Sequence, residues 1–346
     1  TAAPLHNYDE AGAQRYNLVS SEMIQASIAP GLSYEVNDWL TLGGSVTANL
    51  LRIKQDLDVH MFLPLPGFDV QGSFGDPAGD VGFALSASDP FLVSGNIGLL
   101  VEPEGGMWAL GLSARPSTTY NASGTIVADF SNHFLYSPED PTKQIVLEES
   151  VESDMQLVVN LPAVVKAGLL LRPTDALELE LGFVWEGWSV NESLVVEGIN
   201  FSVPTTLSPT PVEVKTDVVL PTDFEDAYSV RLGGQYQAND SLALSAGGFY
   251  ETSAVPTSSL GLGQVDMAKI GYGAGLSYAL NSSLELELGF GQIFLQSANV
   301  TDSEIEAVMV DAISGEVEEE GVIVGNGVYE SSMLVGGFAL SWAFGN

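Results

Sequence analysis

The sequence predicts an all-β protein, an antiparallel transmembrane β-barrel. Three observations support this prediction. Apolar residues recur at every second position, very short turns alternate with long loops, and no run of about 18 apolar residues could form a transmembrane helix. The chain has 346 residues, and a large barrel forms one unit at this length. We therefore expect residues 1–346 to form a single β-barrel domain.

The charge balance excludes several classes of protein. Lys and Arg number 10 against 45 Asp and Glu, a formal net charge of −35. Such a chain lacks the cations that bind phosphates, so we expect no nucleic acid partner. Apolar residues make up 45% of the chain, which argues against disorder. Cysteine is absent, which excludes disulfides, thiol nucleophiles and thiolate metal sites. We expect no cofactor and no resident metal.

The alternation is clearest in segments 177–188, 270–278 and 284–290. One face carries Leu, Ile, Phe, Tyr or Trp, and the other carries Gly, Ser or Glu. A soluble sandwich also alternates, but it hides its apolar face and usually shows Lys, Glu and Thr outside. The Gly- and Ser-rich second face favours a polar lumen, with the apolar face turned to lipid.

The turns delimit the strands in order. Asn, Asp and Gly tolerate the positive φ of hairpin turns, and they occur at Asn37-Asp38, Glu104-Gly105-Gly106, Thr174-Asp175, Asn239-Asp240 and Asn281-Ser282. Long loops alternate with these turns, at 53–93, 129–154, 199–223, 254–265 and 300–330. This layout is typical of barrels with short periplasmic turns and long extracellular loops. The strands predicted between these connections lie at 22–36, 39–53, 93–102, 107–128, 155–172, 177–198, 224–238, 241–254, 265–280, 283–300 and 328–344.

The strand count of about eleven is odd, whereas bacterial single-chain barrels have even counts. The first and last of eleven strands would run the same way, and the open sheet would have two exposed edges. We therefore expect N-terminal strands to be missing from this chain. Residues 1–20 are expected to be the tail of an extracellular loop.

Four stretches form motifs whose order and spacing, from about residue 20 to the end, are specific. They are Ile28-Ala-Pro-Gly-Leu-Ser-Tyr34 with Asn37-Asp38 and Leu40-Thr-Leu-Gly-Gly44; Leu161-Pro162 through Leu171-Arg-Pro-Thr-Asp175 to Trp185 and Trp188-Ser189; 224–237 with Asn239-Asp240 and 250–256; and a closing strand at 333–344. Together they resemble the FadL-type outer-membrane transporters of long-chain fatty acids and aromatic hydrocarbons.

The resemblance implies a fold and a function. The family has a barrel of about fourteen strands plugged by an N-terminal hatch, so the hatch and first three strands would be absent here. Extracellular loops would collect a hydrophobic ligand, which passes to a pocket in the barrel and leaves by a lateral opening or past the hatch. The implied activity is passive uptake of fatty acids or other hydrophobic compounds. The protein would be a monomer, integral to the Gram-negative outer membrane beside lipid and lipopolysaccharide.

The loop predicted at 53–93 is unusually apolar for a solvated segment. Phe and Met side chains can adapt to flexible ligands, so this loop is a candidate capture site. The alternative is that the same side chains form the loop's own small core or dip into lipid headgroups. The candidate residues are Met61, Phe62, Leu63, Leu65, Phe68, Phe74, Phe83 and Phe91.

Four of the scarce cations fall on the Gly/Ser face and are expected in the lumen, where a cation can pair with a ligand carboxylate. They are Arg115, Lys166, Arg231 and Lys269. The alternative is that they neutralise lumen acids such as Glu178, Glu180, Glu285 and Glu287. Aromatic residues at strand ends, including Trp39, Trp108 and Trp342, are expected to form interface girdles.

Two other functions remain open, a general diffusion porin and a surface adhesin or receptor barrel. An enzyme is not expected. The three histidines, His6, His60 and His133, fall in predicted loops, and no Gly-x-Ser-x-Gly, His-Glu-x-x-His or phosphate-loop motif occurs. The sequence leaves the ligand open, as it does divalent cation binding by the acidic loops.

Overall fold

The computed structural model is an all-β protein, as the sequence predicts. It describes residues 6–8, 12–62, 74–75, 80–131, 136–137, 140–144, 148–205, 209–307, 309–311 and 322–343. Among these residues no helix is long and apolar enough to cross a membrane. The helices described are single 3-10 turns at Ala13–Tyr16, Trp188–Val190 and Thr257–Ser259.

The strands follow the chain as β1 to β24. They are β1 His6–Asn7, β2 Ser20–Ile28, β3 Gly31–Asn37, β4 Leu40–Phe62, β5 Asp80–Val101, β6 Trp108–Arg115, β7 Thr118–Asp129, β8 Tyr136–Ser137, β9 Asp140–Gln144, β10 Ser150–Leu161, β11 Val164–Thr174, β12 Leu177–Glu186, β13 Ser193–Val203, β14 Val212–Pro221, β15 Ala227–Asn239, β16 Leu242–Glu251, β17 Lys269–Asn281, β18 Leu284–Leu295, β19 Ala298–Val300, β20 Glu306–Ala307, β21 Met309–Asp311, β22 Val322–Ile323, β23 Gly327–Tyr329 and β24 Ser332–Trp342.

One antiparallel sheet forms what we call the barrel tier. Its strands pair in the order β3, β4, β5, β6, β11, β12, β15, β16, β17, β18 and β24. Strands β3 and β24 both run towards the short turns, so they cannot pair antiparallel with each other. Within the described residues the sheet is therefore open between them. The expected total of fourteen strands stays a prediction.

The outward face of the barrel tier is apolar and exposed, as a lipid-facing surface must be. Leu232 and Phe338 are 64% and 69% exposed there. Exposed aromatic side chains lie next to the short turns, which fits the predicted girdle. They are Trp39, Trp108, Tyr236, Tyr278 and Trp342.

The structure corrects the predicted long loops. Strand β4 continues to Phe62 and β5 begins at Asp80, and the two pair as far as His60 and Asp80. Most of the predicted loop 53–93 is therefore a β-hairpin. Strands β10, β13 and β14 likewise extend into the predicted loops at 129–154 and 199–223. The reason is that the period-2 apolar pattern continues through these segments and gives each strand a face to bury.

These extensions form a second, outer tier with its own core. Its strands are β1, β2, β7, β10, β13, β14 and the outer parts of β4 and β5. The rings of Phe83 on β5 and Phe201 on β13 meet edge to face, with centroids 5.9 Å apart. Because these strands are not neighbours, the sheet must curl to bring them together. Val81, Tyr120 and Ala122 are fully buried in the core.

Prolines separate the two tiers. Pro30 lies between β2 and β3, Pro116 between β6 and β7, and Pro162 between β10 and β11. Proline has no N–H to give to a ladder, so a strand that contains it bends or stops. These three passes are therefore divided in two near their outer ends, whereas β4 and β5 run through both tiers.

Candidate functional site

The inward face of the barrel tier borders two cavities. The first, about 470 Å³, is lined by Gly43, Gly98, Gly111, Lys166, Gly182 and Arg231 among others. The second, about 1040 Å³, has Arg231, Gly247, Phe249, Gly273, Glu285 and Glu287 in its lining. Arg231 borders both cavities. Both volumes are in the range of small-molecule sites.

Part of the lumen wall is bare backbone. Gly233, Gly247, Gly273 and Gly291 stand side by side on four neighbouring strands. A Cβ on Gly273 would lie 2.9 Å from the Phe290 carbonyl oxygen, so glycine lets the strands approach this closely. The missing side chains leave space for a ligand.

Two of the four predicted lumen cations share an acidic partner. Lys269 Nζ lies 3.1 Å from Glu251 and bonds Asp266 as well. Arg231 Nη2 is 3.5 Å from Glu251, and its side chain is 55% exposed. Its guanidinium also lies 5.7 Å from the ring centroid of Phe249. Lys269 is thus neutralised, whereas Arg231 is held loosely.

The other two cations have weaker partners. Lys166 is exposed beside Ser113 and Val184 and takes part in no ion pair among the described residues. Arg115 Nη2 donates to the Pro162 carbonyl at 3.4 Å. The Nε of Arg115 is buried and has no partner in the described part of the chain. Of the four acids expected to neutralise the cations, Glu178 instead bonds Arg172 at 2.9 Å.

The hydrogen-bond ladder of the lumen wall is interrupted beside Arg115, and we call this interruption the ladder gap. Strand β5 pairs with β7 through residues 82–88 and with β6 through 97–101. Residues 89–96 thus have no ladder partner on that side among the described strands. Pro90 and Pro116 border this gap, and neither has an N–H for pairing. The Oγ of Ser94, at the gap, is buried and has no partner within the same ranges.

The upper margin of the ladder gap is closed by other contacts. The carboxylate of Asp89 accepts hydrogen bonds from the backbone N–H groups of Phe91 at 3.1 Å and Asn121 at 3.3 Å. Farther out, a Cβ on Gly124 would lie only 1.9 Å from the Ser86 carbonyl oxygen. Strands β5 and β7 are therefore in close contact on the outer side of the ladder gap, and they separate at the gap itself.

A family model described as outer membrane protein transport protein (OMPP1/FadL/TodX) matches residues 5–330. The chain belongs to this family. The resemblance seen in the sequence motifs is thereby confirmed. Members are integral outer-membrane β-barrels that serve as channels for hydrophobic compounds, and they are not enzymes.

Individual relatives of this FadL/TodX-family chain are distant. The long-chain fatty acid transport protein of Salmonella typhi is 24% identical over 240 residues, which cover 65% of this chain and 53% of that protein. The chain thus spans about half the length of this relative. A Pseudomonas aeruginosa FadL homologue superposes with a TM-score of 0.67 at 15% identity, covering 99% of this chain and 72% of its own. The CymD monoaromatic hydrocarbon channel gives 0.60 at 14%, covering 94% and 75%. At such identities the structural likeness shows the fold alone.

The structure does not bring the described members of the predicted capture site together. Phe83 is partly buried and packs against the outer-tier core, Phe91 points outward and is 68% exposed, and Phe74 stacks on Tyr16 with ring centroids 4.5 Å apart. Met61 and Phe62 end β4. Leu63, Leu65 and Phe68 lie outside the described residues. Phe83 and Phe74 thus have the packing roles of the alternative, and the capture site stays a prediction.

The outer tier of this family member contains a buried polar cluster that the sequence analysis does not predict. Asp80 receives Arg15 Nε at 2.6 Å, the Tyr16 hydroxyl at 2.7 Å and lies 3.2 Å from His60 Nδ1. All four side chains are at most 5% exposed. Burial alone would raise the pKa of Asp80, but the hydrogen bonds from His60, Tyr16 and Arg15 outweigh it and lower the pKa. The cluster fixes residues 12–17 onto the β4–β5 hairpin.

Proposed function

We propose that this protein carries long-chain fatty acids across the outer membrane by passive diffusion through its barrel. One observation supports this ligand above the others. Lys166 has no ionic partner in the described structure, Arg231 is only loosely paired, and both side chains line the smaller cavity. A fatty acid supplies both a carboxylate for these cations and a chain for the apolar and glycine surfaces.

Register places the two cations near each other on the inward face. Lys166 lies opposite Val184, which lies opposite Ser229, two residues from Arg231. Two strand spacings correspond to about 10 Å, a distance that long side chains bridge. Gly182 lies directly opposite Arg231, so no side chain separates them there.

An aromatic hydrocarbon is the second candidate ligand, and it has no group for Lys166 or Arg231 to bind. The CymD channel is named for such compounds. The Salmonella relative is named for fatty acids. A general diffusion porin is the less favoured function, because the bare glycine wall and sparse cations differ from a wide, charged aqueous pore.

The proposed route uses features of both tiers. Ligand collects at the outer tier, reaches the lumen cavities and binds through its carboxylate. The ladder gap between β5 and β6–β7 offers a sideways exit into the membrane, where Phe91 and Val93 are exposed on the outward face. We further propose that the protein acts as a monomer surrounded by outer-membrane lipid and lipopolysaccharide.

Binding to the detergent-folded full-length protein tests the ligand. Saturable binding of a fluorescent long-chain fatty acid should be displaced by oleate, and toluene should displace it poorly. The Lys166→Gln/Arg231→Gln variant should bind oleate at least about tenfold more weakly, since two charge-assisted contacts are lost. Binding of oleyl alcohol should be unchanged.

Lys215→Gln is the matched control and should leave oleate binding unchanged, because Lys215 lies at an exposed position of β14 in the outer tier. Two outcomes contradict the proposal. Folded protein could fail to bind oleate, or the double variant could bind oleate as well as the unmodified protein does. Strong displacement by toluene would instead favour an aromatic hydrocarbon.

A further inference from the structure

The cations of the lumen and a set of its acids lie at different distances from the short turns. Strands β6, β11 and β17 place Arg115, Lys166 and Lys269 at their outer ends, and Arg231 lies in the outer half of β15. Glu251, which pairs with Arg231 and Lys269, lies at this same outer level. A second set of acids lies at the other end of the lumen. Glu178 and Glu180 begin β12, and Glu285 and Glu287 begin β18, directly after short turns. The outer half of the lumen therefore holds four cations against Glu251, and acids lie beside the short turns.

Several of the acids beside the short turns have no cation partner among the described residues. Arg172 bonds Glu178 at 2.9 Å and Glu102 at 2.6 Å. No ion pair in the described part of the chain includes Glu180, Glu285 or Glu287. The lumen cations therefore do not neutralise these three acids.

The residues around the acids are small and uncharged. Glu285 lies opposite Ala279 on one side and Ser341 on the other, and Glu287 lies between Ser277 and Ala339. Ser277 Oγ donates a hydrogen bond to Glu285. Both acids line the larger cavity, and Glu180 lines the smaller one together with Lys166 and Arg231. We call the part of the lumen beside the short turns the lower lumen. The negative charges of all three carboxylates interact electrostatically with any ligand that enters it.

We propose that Glu180, Glu285 and Glu287 are specificity-determining residues that form an anion barrier in the lower lumen. This inference rests on the proposed transport of fatty acids. A carboxylate held by Lys166 and Arg231 is repelled from the acids below, because like charges in a narrow cleft interact strongly. An acid ligand therefore leaves through the ladder gap. An uncharged hydrophobic ligand meets no such barrier and can enter the lower lumen.

A thiol-reactivity experiment measures the barrier directly, and it does not depend on fatty acid binding. The chain has no cysteine, so Ser341→Cys in the full-length folded protein introduces a thiol opposite Glu285. Its rate of modification is measured with an anionic and a cationic methanethiosulfonate reagent of equal size. The cationic reagent should react at least about tenfold faster, and the Glu180→Gln/Glu285→Gln/Glu287→Gln variant should bring the two rates within about twofold of each other.

The matched control changes three exposed outer-tier acids, Glu152→Gln, Glu197→Gln and Glu213→Gln, and should leave the rate ratio unchanged. A second measurement needs no change to the lumen acids. Raising the salt concentration should shrink the preference for the cationic reagent, because salt screens exposed charge. Equal rates for the two reagents at low salt, or a preference that survives the lumen substitutions, would overturn the barrier.

A fluorophore attached at the Ser341→Cys position tests the routing of ligands. Oleyl alcohol should change its emission in the unmodified lumen, whereas oleate should do so only in the triple variant. Equal responses to oleate and oleyl alcohol in the unmodified lumen would contradict the routing. Failure of oleate to bind at Lys166 and Arg231 is read separately in the displacement assay, so loss of the proposed function and loss of the barrier are distinguishable.

Discussion

At the scale of single residues, ion pairs decide which lumen cations can serve a ligand. Lys269 and Arg231 were equivalent candidates in the sequence, because both fall on the inward face of their strands. In the structure Glu251 lies 3.1 Å from Lys269 and 3.5 Å from Arg231. Glu251 is therefore a competitor of any ligand carboxylate for Arg231.

Glu251→Gln should strengthen oleate binding about two- to fivefold, because it frees Arg231 from a partly exposed ion pair of modest strength. Titration of the fluorescent fatty acid with the folded variant measures this. The affinity for oleyl alcohol should not move. Weaker oleate binding in this variant would mean that Glu251 positions Arg231 instead of competing for it.

The buried cluster in the outer tier should make that tier sensitive to pH. The lowered pKa of Asp80 adds stability that is present above its ordinary pKa of about 3.9 and is lost as pH falls through the lower folded value. Burial and the hydrogen bond to Asp80 raise the pKa of Tyr16. Its contribution is present below the ordinary pKa of about 10 and is lost as pH rises through the raised value.

Asp80→Asn should lower the free energy of unfolding of the outer tier by about 3 kcal/mol at neutral pH, since it removes the nearer of two carboxylates that pair with the buried Arg15, at 2.6 Å against 3.6 Å for Asp58. The acid loss of stability should shrink in the same variant. Protease susceptibility of the outer tier across pH measures both effects. Asp302→Asn, at an exposed position, is the control, and an equal effect there would refute the role of the cluster.

At the scale of elements, the spacing of β5 and β7 depends on Gly124. Gly124→Ala should destabilise the outer tier by about 1–3 kcal/mol, because a methyl group cannot fit against the Ser86 carbonyl without moving the strands. Gly111→Ala is a matched control on β6, where nothing lies within 4 Å of the added Cβ. Urea unfolding of both variants, followed by protease digestion, compares them. Equal stability of the two would contradict the close contact.

The ladder gap should depend on its prolines. Pro90→Val/Pro116→Val restores two backbone N–H donors, so pairing across the gap becomes possible. We expect slower release of oleate from the lumen into lipid, with oleate affinity unchanged. Stopped-flow transfer to acceptor vesicles measures the release. The control is Pro30→Val, since Pro30 lies between β2 and β3, away from the gap, and it should leave the release rate unchanged. An unaltered release rate in the double variant would show that oleate does not leave through the ladder gap.

Much of the barrel tier could be predicted from alternation and turns, because each strand has one lipid-facing and one lumen-facing side. The outer tier could not be predicted from these two signals. The sequence analysis predicts a loop at 53–62, since an outer-membrane barrel has long loops, yet Ile53 and Val59 continue the alternation and are buried. The cluster around Asp80 joins residues 65 positions apart in the chain. Such a contact depends on the curl of the tier, which no local pattern encodes.

At the scale of the whole molecule, charge and apolar surface are separated. The outward face presents apolar side chains to lipid. In the lumen, four cations lie in the outer half, while Glu180, Glu285 and Glu287 lie beside the short turns. The outer tier adds a core that spans β4 to β14 and holds residues 12–17 by buried ionic contacts. This arrangement suits a channel that selects an amphiphile by its head group at the outer end.

Uptake in living cells tests the central claim most directly. The full-length protein is expressed in a Gram-negative strain that lacks its own long-chain fatty acid transporter, and the initial rate of radiolabelled oleate uptake is measured. The unmodified protein should restore uptake, while the Lys166→Gln/Arg231→Gln variant, present in the outer membrane at equal amount, should give at most about a tenth of that rate. Equal uptake by the two, or no uptake by a folded, correctly inserted protein, would contradict the account.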